Sequence, residues 1–152
     1  MKKKLKFISI ALTSVVFMFS SIMANAFSLD GDAKPAFIFF NVVNDGGWVQ
    51  AFDEARKRME KDLGMKLPYV EKVPEVATEI RPAVKKFIKR GHNVIVGTAF
   101  GYSDTFLELA EEYPNVAFLN AAGTTNNEKN LVSYYGRTYE SQYLCGMVAG
   151  AM

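Results

Sequence analysis

Hydrophobic positions along this chain follow two rhythms. Short unbroken apolar blocks alternate with longer stretches in which every third or fourth residue is apolar. The first block, AFIFFNVV over 36–43, is rich in Phe and Val, as a strand buried on both faces should be. Trp48, Phe52, Ala55, Met59 and Leu63 then form one stripe of an amphipathic helix, with Arg56, Lys57, Glu60 and Lys61 on its wet side and Gly64 as its stop. A weaker strand is predicted over 67–73, where Pro68 favours an edge position or the strand's start. Val76, Ile80, Val84, Phe87 and Ile88 give the next helical stripe, ending at Gly91. Pro82 is tolerable only near a helix start, which puts the expected N-cap near Thr78. VIVG over 94–97 is a buried strand, and Ser103 or Asp104 caps a helix running through Glu112 to the stop at Pro114. Strands follow over 116–120 and 131–135, and a helix over 138–152 carries Tyr139, Tyr143, Leu144 and Met147 on one side. Strands alternating with helices of this length predict an α/β fold with a parallel sheet flanked by helices on both faces. The last helical pattern has no cap or Gly/Pro stop, which suggests a cut through a larger protein.

The first 26 residues break this rhythm. Lys2, Lys3, Lys4 and Lys6 precede an uncharged run over 7–23, and Ala24-Asn25-Ala26 offers small residues for a signal peptidase. This pattern predicts a secretory signal peptide over 1–26 and a mature chain, 27–152, working in a periplasm. The competing reading, a membrane anchor, is opposed by the Ser and Thr content, the small-residue exit and the absence of a positive flank after the run. Setting the leader's four lysines aside leaves 14 basic residues against 16 acidic ones. Such a weakly acidic body lacks the electrostatic footprint of a nucleic-acid partner.

Composition narrows the chemistry further. One Cys and one His exclude an internal disulfide and a Cys/His zinc cluster, and no metal or cofactor motif appears. Cys145 in its apolar helix reads as a small core residue, and His92 after Gly91 as a helix-end cation. Glu111 and Glu112 read as a solvated pair.

Ligands of open α/β sheets bind outside the carboxyl ends of the strands, and three such ends carry unusual residues. At Asn44-Asp45-Gly46-Gly47-Trp48 the glycines allow close backbone approach, Asn44 and Asp45 offer donors and acceptors, and Trp48 offers a flat face for a heterocycle. Equally, Asn44 or Asp45 caps the helix and Trp48 packs inside. In the second stretch, 98–104, Phe100 and Tyr102 around Gly101 suit a ligand wall, or are loop packing beside a capping Ser103 or Asp104. The third, 120–125, has small polar residues that either leave room for a ligand or make a plain turn. Arg137 adds one candidate contact at the start of the last helix, beside its reading as helix start.

Three blocks together resemble the PnrA-like, or basic membrane protein, family of ABC-importer substrate-binding proteins: GGWVQAFDEARKRMEKDLG (46–64), GTAFGYSDTFLELAEEYPNVAFLNAAG (97–123) and NLVSYYGRTYESQYLCGMVAGAM (130–152). The resemblance implies a type I periplasmic-binding-protein fold, two α/β lobes joined by a hinge with ligand between them. This chain corresponds to the N-terminal Rossmann-like lobe, truncated before the second lobe. The family's branch with Gly-Trp after the first strand binds purines such as adenine, while a Phe-Asn branch binds nucleosides and is commonly lipidated. With Trp48 and no lipobox Cys, this chain is similar to the first branch. The resemblance further implies that Trp48 and Phe100 or Tyr102 sandwich the base, that Asn44, Asp45 and Asp104 bond its nitrogens and amine, and that the partner is an ABC permease in the inner membrane. A sugar receptor of the same fold is the alternative within binding, though the strand ends show few of the charged residues it needs. An exported α/β hydrolase is the alternative among enzymes, but GxSxG is absent and His92 sits at the wrong end of its strand.

Overall fold

The computed structural model describes residues 27–29 and 31–152, so the expected leader over 1–26 lies outside the described residues. The elements run β1 (Pro35–Ile38), α1 (Trp48–Leu63), β2 (Tyr69–Val70), α2 (Ala77–Lys89), β3 (Val94–Gly97), a 3-10 turn (Phe100–Tyr102), α3 (Ser103–Glu112), β4 (Ala117–Ala121), β5 (Leu131–Tyr134) and α4 (Thr138–Ala151). The strands form one five-stranded parallel sheet in the order β2-β1-β3-β4-β5.

The strand period of two divides β1 between two cores. Ala36 and Ile38 face α2 and α3, in a cluster with Ile80, Val84, Phe106, Leu109 and Phe118. Phe37 and Phe39 face α1, packing with Val49, Leu67, Val94 and Val96. Each fully buried large side chain in these layers contributes about 1.5–3 kcal/mol relative to an exposed one.

Several expectations need correction. β1 ends at Ile38 rather than at Val43. Ile38 lies opposite Gly97, the last residue of β3, so the chain beyond it has no ladder partner on that side. It bends instead toward the β2 side, where Phe39 N donates to Val70 O (2.9 Å) and Val73 N to Phe39 O (3.0 Å). β2 itself is the short edge strand that Pro68 foretold.

α1 occupies its expected span, closed by Gly64 in the left-handed conformation (φ 63°), but it faces inward along a different line. Its buried residues are Val49, Asp53 and Arg56, while Met59 and Leu63 are exposed. Arg56 is inside because its charge is fully partnered. The guanidinium meets Asp53 at 2.7 Å and Glu60 at 3.0 Å, donates to Leu67 O at 2.9 Å, and lies 4.6 Å from the Tyr69 ring centroid. Glu60 in turn accepts from Leu67 N (2.8 Å), so this network fastens the turn between α1 and β2.

The N-cap of α2 is Val76, not Thr78, and Pro82 lies inside the helix. The carbonyl that Pro82 leaves unpaired belongs to exposed Thr78 in the first turn, where water reaches it. Neither Ser103 nor Asp104 caps α3, because the 3-10 turn feeds directly into it, and Ser103 Oγ donates to Phe100 O at 2.7 Å. The end of α3 is held by buried Asn130, whose Nδ2 donates to Ala110 O (2.9 Å), Tyr113 O (3.1 Å) and Val116 O (2.9 Å). No residue of α4 is buried among the described residues, so Cys145 is exposed rather than part of a core. His92 caps α2 only through its backbone, its N–H donating to Phe87 O at 3.1 Å, while the ring contacts Lys34 O. Glu112 is paired with Arg81 and Lys85. Among the described residues no helix is long and apolar enough to cross a membrane.

Candidate functional site

The turn into α1 is organised by Asp45. Its Oδ1 accepts from Gly47 N (2.9 Å) and Gln50 N (3.0 Å), and its Oδ2 from Val49 N (3.1 Å). The bond from Gln50, then that from Gly47, outweigh desolvation and hold the carboxyl below its ordinary value. Gly46, at φ 72°, supplies the left-handed step this turn requires. Gly47 holds the N-cap position, and the Asp45 side chain, two residues earlier, does the capping by accepting from the first-turn N–H groups.

That cap places Trp48 in the first turn of α1, half-buried at the carboxyl end of the sheet. Its Nε1 donates to Thr98 O at 2.8 Å, and Thr98 Oγ1 donates to Ile38 O at 3.4 Å. Phe52 lies against the indole at 5.1 Å, tilted by 51°, and Tyr135 stacks at 6.0 Å and 26°. Beside Trp48 opens a hollow of about 270 Å³, lined by Phe40, Trp48, Glu75, Thr98, Phe100 and Tyr135 together with Ala99 and Ala122. The lining comes from the segments that follow β1, β2, β3, β4 and β5, the position where open α/β sheets hold ligands. Its volume falls just short of the roughly 300–1,000 Å³ usual for small-molecule sites.

The predicted site residues therefore divide. Trp48 and Phe100 line the hollow, Phe100 being 64% exposed. Gly101 lies just behind it, its N–H donating to Glu75 Oε2, and a Cβ there would collide with the Glu75 side chain. Tyr102 is a correction: it is fully buried, stacks on Phe106 and donates its hydroxyl to Val73 O at 2.6 Å. Burial also pushes its phenol well above the ordinary tyrosine range. It belongs to the core because the 3-10 turn points successive side chains a third of a turn apart, sending Phe100 outward and Tyr102 inward. Asn44, Gly47 and Asp104 are exposed and stand outside the lining. Arg137 is exposed at the start of α4, pairs with Glu140 at 3.4 Å, and also stands outside it.

Three lining residues carry no local signal in the sequence. Phe40 lies inside the apolar block that predicts the first strand. Glu75 sits in the loop after β2 and meets Gly101 only through the fold. Tyr135 follows β5, and the rule that ligands gather at strand ends could have pointed to it. Of the lining side chains only Glu75 is charged. A wider recess of about 560 Å³ runs along α2, but it has no aromatic wall, and its Arg81 and Lys85 are paired with Glu108 and Glu112. Among the described residues no three His, Cys, Asp or Glu side chains converge as metal ligands would.

Comparison with known proteins agrees with this architecture. A purine-binding protein of Brucella abortus (strain 2308) is 34% identical over 121 residues, covering 78% of this chain and 34% of its own. A protein of Haloferax volcanii named for binding glucose in ABC transport is 33% identical over 116 residues, covering 76% of this chain and 29% of its own. This chain thus spans about a third of the length of these curated relatives. Among solved structures, a solute-binding protein of an ABC transporter system from Conexibacter woesei shares the fold, with a TM-score of 0.58 and 24% identity over 68% of this chain and 35% of that one. The family model described as ABC transporter substrate-binding protein PnrA-like, a family of binding proteins rather than enzymes, matches residues 33–152. The chain belongs to the PnrA-like family of ABC transporter substrate-binding proteins.

Proposed function

We propose that this protein binds a purine, a nucleobase such as adenine in preference to a nucleoside, and delivers it to an ABC permease in the inner membrane. The observation that carries this reading is the fixed indole of Trp48 in a hollow that also holds Phe100, Phe40 and Tyr135. Planar heterocycles gain most from such walls, since base–aromatic stacking contributes about 1–3 kcal/mol per base. The relative named for purine binding supports the same ligand class. Residues 1–26 act in this proposal as an export signal, placing the binding lobe, 27–152, outside the cytoplasm; a mature N-terminus at Phe27 is the expected product.

Glucose is the second reading, favoured by the Haloferax volcanii relative. A tryptophan face also suits a sugar ring, but a sugar's many hydroxyls call for several polar side chains, and the lining offers Glu75 and Thr98. Calorimetric titration of the full-length protein with adenine, guanosine and glucose separates the readings. Heat of binding with adenine and none with glucose is the expected result. Saturable glucose binding with no response to either purine would overturn the proposal.

A further inference from the structure

We propose that Glu75 is the specificity-determining residue of this site, its carboxylate accepting a hydrogen bond from an exocyclic amine on the ligand ring. This rests on reading the hollow as a purine site, and adds which purines it selects.

The geometry around Glu75 is that of a positioned acceptor. The segment carrying it is stitched down on two sides: Val73 N donates to Phe39 O at 3.0 Å, and the buried Tyr102 hydroxyl donates to Val73 O at 2.6 Å. Gly101 N donates to Glu75 Oε2, and only a glycine at 101 leaves room for the Glu75 side chain. Oε1 has no hydrogen-bond donor among the described residues. The same side chain lines the hollow with Trp48 and Phe100, so a base lying on the indole has Glu75 in the wall around its edge.

The chemistry of selection follows from a carboxylate that already accepts from Gly101 being matched by a donor on the ligand. Adenine offers an N6 amine, a donor that satisfies it. Hypoxanthine offers O6 at the same ring position, where two acceptors face each other with no proton between them. Glu75 is exposed in the hollow, and a ligand lying on the indole sets its edge against this acceptor, which favours the analogue that offers a donor there over the one that offers a second acceptor. Unsubstituted purine lacks both groups and should fall between the two.

The test is calorimetric titration of the full-length protein with adenine, hypoxanthine and unsubstituted purine, for wild type and Glu75→Gln. Gln retains a carbonyl oxygen for Gly101 N–H but can turn an amide NH₂ toward the ligand. Wild type is expected to prefer adenine over hypoxanthine by roughly ten- to hundredfold, the range of one charge-assisted hydrogen bond. In Glu75→Gln that ratio should collapse toward one or invert, a change that a merely structural role for Glu75 would not produce. Wild type binding adenine and hypoxanthine equally overturns the inference, as does an unchanged ratio in Glu75→Gln. The comparison of adenine with unsubstituted purine needs no variant, so it decides even if Glu75→Gln unfolds: equal affinities overturn the inference. Wild type binding none of the three contradicts the purine reading itself, an outcome distinct from loss of selectivity.

Discussion

Trp48 Nε1 donates to the carbonyl oxygen of Thr98 at 2.8 Å, joining the first turn of α1 to the end of β3 across 50 residues of chain. The bond fixes the plane of the only tryptophan in the chain, at the edge where five connecting segments converge. It also gives a hydrogen bond to the carbonyl of Thr98, a fully buried residue just past the end of β3. An aromatic wall held in one orientation loses less rotamer freedom on binding than a free one.

Trp48→Phe keeps a flat face but removes the donor. Adenine affinity should weaken by about 1 kcal/mol, the net worth of one neutral hydrogen bond. Trp48→Ala removes the face as well and should cost about 1–3 kcal/mol more. Calorimetry on both variants checks the order; no loss in Trp48→Phe would mean that the orientation of the ring is irrelevant, and equal losses in the two variants that its face contributes nothing.

Asp45 makes the fold at this edge sensitive to acid. Bonds from Gln50, Gly47 and Val49 N–H groups hold its carboxyl below the 3.8 of an unperturbed aspartate. A depressed folded value means that the ionised form adds stability at pH above the ordinary aspartate range, and that this stability is lost as pH falls through the folded value. Asp45→Asn keeps an acceptor for the turn but no charge. Wild type should therefore melt at a higher temperature than Asp45→Asn at about pH 7, with the gap closing toward about pH 2. Thermal melts across that range read the difference directly.

Arg56→Ala should destabilise the protein by about 3–5 kcal/mol, the usual cost of breaking a buried ion pair from one side. Burial alone would raise the Asp53 carboxyl, but hydrogen bonds and charge from Lys57 and Arg56 outweigh it and hold it below the ordinary value. Without Arg56 the carboxyl keeps only exposed Lys57, at 2.7 Å, so its value should rise. Urea unfolding measures the first effect, and loss of stability beginning at a higher pH measures the second.

The same residues show what a single chain makes legible. The strand and helix order was readable because each segment is internally periodic, and β3 was bounded correctly by its own composition. The inward face of α1 is not, since the rule that charged side chains face water fails where Arg56 is paired on both sides by Asp53 and Glu60 and bonds the backbone of Leu67. At the hollow, Trp48 and Phe100 were visible as aromatics at strand ends. Glu75 was not, because its partner Gly101 is 26 residues away and nothing local marks the pair. Tyr102 was misplaced because the turn that buries it is three residues long, too short to show a period.

Fluorescence of Trp48 during titration of the full-length protein with adenine tests the central claim most directly, with Trp48→Phe as the blank. A base stacked on the indole should quench its emission saturably, with the midpoint that calorimetry gives and no matching change in the blank. Saturable adenine binding that leaves Trp48 emission unchanged would contradict the account, because the ligand would then lie away from the wall around which the site is built.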